Sequence, residues 1–317
     1  MGPGFTGYVV RRILWAIPVL IIITFTVFAM VRLAPSDPID RILGQRYDED
    51  VAQNLREKYG YDDPIPIQYF RYLGNLTRLD LGVSTNYTDF TVGEFIWPKL
   101  KVSAALGAIA LIIVFGLGIP VGIYAAMARG TFLDPLTISF WLFIDAVPPI
   151  VSIPILQWLF VLQLKWVGLG YEGLWSPNII LPILVMSLPG VAGVARLMRA
   201  SIISVMAEDY VRTARSKGLK ERTVVIQHIT RNALLPMVTV IGLALPSIAS
   251  GSLFVEQLFG IPGIARAALE AVTGPDYDVM LALVLFGSTL FVLANILIDV
   301  AYALIDPRVK VGGARGY

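Results

Sequence analysis

Cysteine is absent from this chain of 317 residues, and histidine occurs once, at His228. Disulfides and thiolate metal sites are therefore excluded, and a lone histidine builds no metal centre. Charge is scarce: Asp, Glu, Lys and Arg make up only 15% of residues, and the formal net charge is +2. No G-x-x-x-x-G-K-[S/T], no H-E-x-x-H and no G-x-S-x-G occurs. The chain thus carries no recognisable phosphate loop, zinc-peptidase helix or nucleophile elbow. Hydrocarbon fills the sequence instead. Hydrophobic residues make up 56%, and the mean hydropathy of +0.72 lies far above that of a soluble domain.

The apolar residues come in uncharged runs of membrane length. Val102 to Ala128 holds no charge over 27 residues, and Ile13 to Val31 none over 19. About 20 apolar residues cross the hydrocarbon layer as a helix. Backbone groups in lipid must be satisfied within their own segment, which favours helices over open sheet. The expected fold class is all-α: a polytopic membrane protein with six spans, near 12–33, 102–128, 136–163, 178–196, 233–255 and 279–304. The first run is too long for a signal peptide and exits into VRLAPSDP without a small-x-small cleavage site. Three units follow: 1–33, an external loop at 34–101, and a five-helix core at 102–317 that includes a loop at 197–232. In 34–101, VAQNLREKYG and IQYFRYLGNL have helical apolar spacing with Pro-x-Pro punctuation between them. A small helical cap is expected there.

Orientation follows from Lys and Arg in short flanks. Between Arg196 and Arg231 stand eight bases against three acids, so this segment belongs in the cytosol. Six spans put both termini on the same side, in agreement with Arg11, Arg12, Arg308, Lys310 and Arg315. The chain is expected in the plasma (inner) membrane with 34–101 outside.

The insert EDYVRTARSKGLKERTVVIQHITRNALLP, Glu208 to Pro236, is basic and amphipathic between two oily spans. Asp209 to Lys217 reads as a short helix with Tyr210, Val211 and Ala214 on one face. Arg212, Arg215 and Lys217 decorate the rest. Gly218 suits a left-handed helix terminus, with Leu219 packing back. A second helix is expected from about Lys220 to Asn232. The chemistry allows an interfacial basic helix that binds anionic headgroups, and equally a loop that docks a protein. Interleaved aromatics are missing, which argues against nucleic acid as a partner.

The same insert resembles the ATPase-coupling loop of binding-protein-dependent ABC importer permeases. EDYVRTARSKGL followed by HITRNALLP is similar to the dipeptide/oligopeptide/nickel branch. RRILWAIPVLIIITFTVFAMVRLAPSDP, DDPIPIQYFRYL with DLGVS, FVEQLFGIPGIA and NILIDVAYALIDPR resemble that branch's successive landmarks, in order, over roughly residues 10 to 310. The chain looks like the pair member with the long first external loop. It departs from the general importer motif where Arg212-Thr213-Ala214 replaces Glu-Ala-Ala, a difference that fits the peptide branch. The resemblance implies a type I importer fold and alternating access, with coupling to separate ATPases through Glu208, Asp209, Tyr210, Arg212, Ala214, Arg215, Lys217 and Gly218. It also implies a second homologous permease, two ATPase subunits, an external substrate-binding protein and surrounding lipid. No cofactor is expected on this chain, and ATP with Mg would sit on the ATPases.

Residues for a translocation path come from intramembrane polarity. Asp145 lies within the expected third span, and a carboxylate at bilayer depth faces protein interior or water. Pro148 and Pro149 free backbone groups beside it, which are tolerated where they line a cavity. The bland reading is a capped Asp at a helix contact. Ser247 and Ser250 make the outer half of span five small and polar, which suits either a pathway or a packed interface. Phe259, just beyond, is a candidate outer gate or a plain anchor. Gly118 and Gly122 form a small-xxx-small pattern that permits close helix packing. Asn295 and Asp299 sit one turn apart in the last span, with Asp299 expected to pair with an Arg. The leading reading is a peptide importer permease. Oligosaccharide or nickel-complex import by the same mechanism is the alternative. An ion-coupled secondary transporter is disfavoured by the lack of repeats and of converging intramembrane charges, and a membrane enzyme by the lack of a nucleophile–base set.

Overall fold

The computed structural model describes residues 3–33, 43, 48–76, 78, 80–82, 84, 90–274 and 276–305. Tyr87 and the basic C-terminal flank lie outside the described residues, as does the side chain of Asp299. Every element among them is helical. Four helices are long and apolar enough to cross a membrane, and two further pairs are bent; counting each pair as one span gives six.

Helix α1 (Pro3–Arg32) is the first span. Two short helices follow, α2 (Glu49–Tyr59) and α3 (Ile65–Leu76). Asp48 caps α2 by accepting the N–H groups of Asp50 and Val51, and Gly60 ends it at φ +65°. The cap is bolted to the bundle: Tyr69 of α3 packs with Phe28 and Val31 of α1, and its hydroxyl meets Thr24 Oγ1 at 2.6 Å.

Helix α4 (Val92–Met127) begins ten residues before the expected 102, so the boundary drawn at 101 falls inside a helix. The cause is a capping box. Glu94 N–H donates to Thr91 Oγ1, and Thr91 N–H donates to Glu94 Oε2 at 3.0 Å. At 1.5 Å per residue the helix is about 54 Å long and extends past the hydrocarbon.

The expected single third span is instead two helices, α5 (Leu133–Asp145) and α6 (Pro149–Gln157, continued by a π turn to Gln163), bent by 88°. Pro148 is extended and Pro149 lacks an N–H, so the helical ladder cannot pass through them. Helix α7 (Ile180–Met206) continues ten residues beyond 196. After α8 (Asp209–Ser216) comes α9 (Glu221–Ala233), which bends by 46° into α10 (Leu235–Ser250). Gly251, at φ +69°, stops α10 before the expected 255. The last described elements are α11 (Leu253–Leu258), α12 (Ile264–Thr273) and α13 (Tyr277–Ile305).

Small residues bring the spans together. A Cβ on Gly118 would lie 2.7 Å from Val194 Cβ, and one on Gly122 would lie 2.5 Å from Ala195 O, so α4 and α7 meet nearly backbone to backbone. A Cβ on Gly107 would be 2.6 Å from the Ile248 main chain of α10. One cluster at this seam holds Val194, Met198, Ile202, Val224, Ile229 and Met237. A second cluster holds Leu106, Ile153, Val185, Val255 and Ile261. Large apolar side chains such as Trp15, Ile22 and Phe143 stay exposed on the single chain, as expected where lipid or another subunit covers them.

Candidate functional site

The loop at 208–233 is built from the inside outwards. Val211 and Ala214 of α8 are 0% and 6% exposed, packed in the cluster with Met198, Ile202, Val224 and Ile229. The membrane core therefore continues without a break into α8. This corrects the expected face: Ala214 points into the chain's own core, while Tyr210 stands on the surface at 41% exposure. A helix of this length presents one stripe inwards, and the other positions must turn out.

Those outward positions carry Asp209, Tyr210, Arg212, Arg215 and Lys217. The Tyr210 hydroxyl accepts from Asn232 Nδ2 at 3.1 Å, which ties α8 to α9. Arg215 grips Glu221 with two hydrogen bonds, of 3.2 and 2.7 Å, across the intervening turn. Gly218, at the centre of that turn, takes φ +73° with nothing within 4 Å of an added Cβ. Its requirement is conformational and not steric. Leu219 departs from expectation: it is 41% exposed and adds an apolar group to the outside of the turn. Exposed bases at 212, 215, 217, 220, 222 and 231 outnumber the exposed acids Glu208, Asp209 and Glu221. The second helix is not a plain α-helix. Val224 to Thr230 is a π turn that contains the half-buried His228, whose carbonyl accepts from Asn232 Nδ2. The arrangement is a rigid knob with an aromatic, an aliphatic and a ring of charge outside.

The path residues do not all converge. Asp145 ends α5 at the 88° bend, exposed and without a hydrogen bond or ion pair among the described residues. It is not the capped Asp of the bland reading. Pro148 beside it is exposed and Pro149 half-buried. Ser247 and Ser250 are exposed, with hydroxyls donating to the carbonyls of Ala244 and Ser247. Phe259 is the correction: at 6% exposure it packs with Leu106, Ile153, Val255 and Ile261 and faces no pathway here. Asn295 donates to Phe291 O within α13.

Sequence reasoning missed two polar nodes. Glu256, 1% exposed, accepts from Ser103 Oγ at 2.7 Å and from Arg266 N at 2.9 Å. Ser103 Oγ in turn accepts from Ile264 N at 2.8 Å, so α4, α11 and the start of α12 share one knot. Burial pushes the Glu256 carboxyl above its ordinary value, against the hydrogen bonds that lower it. Gly251 and Gly263 leave room for this side chain: an added Cβ would fall 2.1 and 2.2 Å from it. An acid inside the oily FVEQLFG, flanked by glycines, was the available signal. The other node is Asp134 with Arg199, hydrogen-bonded twice at 2.6 Å between α5 and α7.

Two family descriptions match the chain. Residues 118–311 match the binding-protein-dependent transport system inner membrane component, and residues 5–103 match the N-terminal part of such membrane components. Oligopeptide transport system permease protein OppB of Haemophilus influenzae is 35% identical over 305 residues, 96% of this chain and 99% of that protein. OppB of Escherichia coli K12 is 36% identical over 305 residues, with the same shares of each chain. Oligopeptide transport system permease protein AppB of Bacillus subtilis is 33% identical over 316 residues, 96% of this chain and 99% of its own length.

Proposed function

This chain belongs to the binding-protein-dependent transport system inner membrane components, and we propose that it carries peptides across the membrane as a permease subunit of an ATP-driven importer. Membership makes it a multi-pass membrane subunit of an ABC transporter complex, with ATP hydrolysis left to other subunits. In the proposed assembly it pairs with a second homologous permease, two ATPase subunits and an external binding protein. The ATPases hold ATP and Mg, and this chain holds no cofactor. Both termini and the 208–233 loop face the cytosol, with α2 and α3 outside. The substrate class rests on the relatives, which are named for oligopeptide transport; oligosaccharide or nickel-complex import is not favoured.

One observation supports coupling through the loop. Val211 and Ala214 are consumed by the chain's own core, while Tyr210, Leu219 and the charged ring remain outside. A headgroup-binding helix immerses an apolar face in the bilayer boundary, and here that face is already covered. Tyr and Arg around a rigid knob suit a protein groove. Motion of the ATPases would move the knob, and the packed cluster would carry that motion into α7. Asp145 fits the path: a carboxylate is costly against lipid, and its exposure on the single chain leaves the second permease and water to cover it.

The absence of native cysteine makes the test clean. In whole cells, Asp62→Cys should react with an impermeant thiol reagent added outside, and Arg212→Cys should not. In isolated membranes, a short bifunctional reagent should join Arg212→Cys to an ATPase subunit and leave the buried Val211→Cys unlinked. External labelling of Arg212→Cys would overturn the topology. Lipid adducts without a protein adduct would favour the headgroup reading.

A further inference from the structure

Helix α5 lies along α7 and against α4, with Ile138, Trp141, Leu142 and Ile144 half-buried. Leu133, Leu136, Phe140 and Phe143 along its outer side are 47–73% exposed. Its single buried residue is polar: Asp134, in the first turn. That side chain is 9% exposed and meets Arg199 of α7, 65 residues on. Arg199 Nε donates to Asp134 Oδ1 and Nη2 to Oδ2, each at 2.6 Å. This is the two-pronged guanidinium–carboxylate fork, which fixes orientation as well as distance. The pairs Arg71–Asp63, Arg215–Glu221 and Arg266–Glu270 instead join residues close in sequence.

The two ends of this fork lead to different places. Arg199 lies on the part of α7 that runs straight towards the loop, between Met198 and Ile202, both fully buried with Val211 and Ala214. Its backbone is pressed against α4 at Gly122. A displacement of α8 therefore reaches Arg199 through close-packed atoms. Asp134 begins the helix whose other end is Asp145 and the 88° bend. The apolar side chains of α5 are at most half-buried, so the fork is its one buried side-chain tie to α7.

We propose that Asp134 and Arg199 are positioning residues that hand motion of the cytosolic loop to the broken third span, and so set where Asp145 stands in the path. The proposal rests on the importer reading above. Neither residue touches substrate. The fork acts by keeping α5 in register with α7 while both move.

The test uses the whole complex, purified with its partner subunits and reconstituted in proteoliposomes. Uptake and ATP hydrolysis are measured together for wild type, Asp134→Asn, Arg199→Gln, Arg199→Lys and the reversed pair Asp134→Arg with Arg199→Asp. Each neutral single variant should lose uptake per ATP by about tenfold, the scale on which residues along a coupling route act, while assembly and hydrolysis persist. Arg199→Lys keeps the charge but not the fork and should fall between. Spin labels at Phe143→Cys and Arg212→Cys should show a wider spread of distances in the single variants than in an otherwise wild-type complex. Restored uptake per ATP in the reversed pair would add support. Unchanged uptake per ATP and unchanged label distances in both neutral variants would overturn the proposal. So would equal loss of uptake and hydrolysis with a lowered melting temperature, the mark of a purely structural contact. Failure of wild type itself to couple uptake to ATP would count against the importer reading and not against the fork.

Discussion

Gly122→Val should leave little folded chain to recover from membranes, whereas Gly116→Val on the same helix should be tolerated. A Cβ at 122 would lie 2.5 Å from Ala195 O, 2.6 Å from Met198 Cβ and 3.1 Å from Arg199 N. Two of these are backbone atoms, so no rotamer change relieves the collision, and α4 and α7 must move apart. Overpacking a core costs about 1–3 kcal/mol and occasionally more; a clash with main chain belongs at the upper end. At Gly116 nothing lies within 4 Å of the added Cβ. The check is yield and melting temperature of the detergent-solubilised complex. Equal behaviour of the two variants would mean that α4 and α7 are not packed as described.

The second large effect is expected from Ala214→Asp. Ala214 is 6% exposed in the cluster with Val211, Met198 and Val224. An aspartate there is a charge with no partner among apolar side chains. Leaving a buried charge uncompensated costs on the order of 3–5 kcal/mol. The loop should detach from α7, and ATPase binding should be lost with it. Tyr210→Ala should weaken ATPase retention while α8 keeps its protection from amide exchange, because Tyr210 is on the outside. Amide exchange over 205–233 separates the two: Ala214→Asp should raise it throughout, and Tyr210→Ala should leave it near wild type. Unchanged exchange in Ala214→Asp would place that residue on the docking surface after all.

The contrast shows where sequence reading succeeds. Uncharged runs of membrane length mark the spans because lipid imposes that length on any helix. Lys217-Gly218 marked the turn because only glycine takes a φ of +73° without strain. Gly118 and Gly122 marked a face of α4 that permits close packing, and the structure supplies α7 as its partner. The direction of the face shared by Tyr210, Val211 and Ala214 was harder. Helical spacing says which residues are neighbours, and only the surrounding fold says which of them turn inwards. The 88° break was partly legible: Pro148 and Pro149 signal an interruption, but no spacing rule sets the angle. The early start of α4 was legible in Thr91-Val92-Gly93-Glu94, a capping-box pattern hidden in a segment read as loop. Pairs such as Asp134 with Arg199, and Glu256 with Ser103, join positions 65 and 153 apart. Nothing local encodes such a meeting. Phe259 was misread for the same reason, since an aromatic after a span suits a gate and a core equally until its neighbours are known.

Labelled peptide uptake tests the central claim most directly. The complex of this chain with its partner permease and ATPases is reconstituted, with binding protein and labelled oligopeptide on the side of Asp62 and ATP with Mg2+ on the side of Arg212. Accumulation of peptide on the Arg212 side should require ATP, its hydrolysis and the binding protein together, and should vanish with a non-hydrolysable nucleotide. Accumulation driven by an ion gradient through this chain alone, without ATPases, would contradict the account.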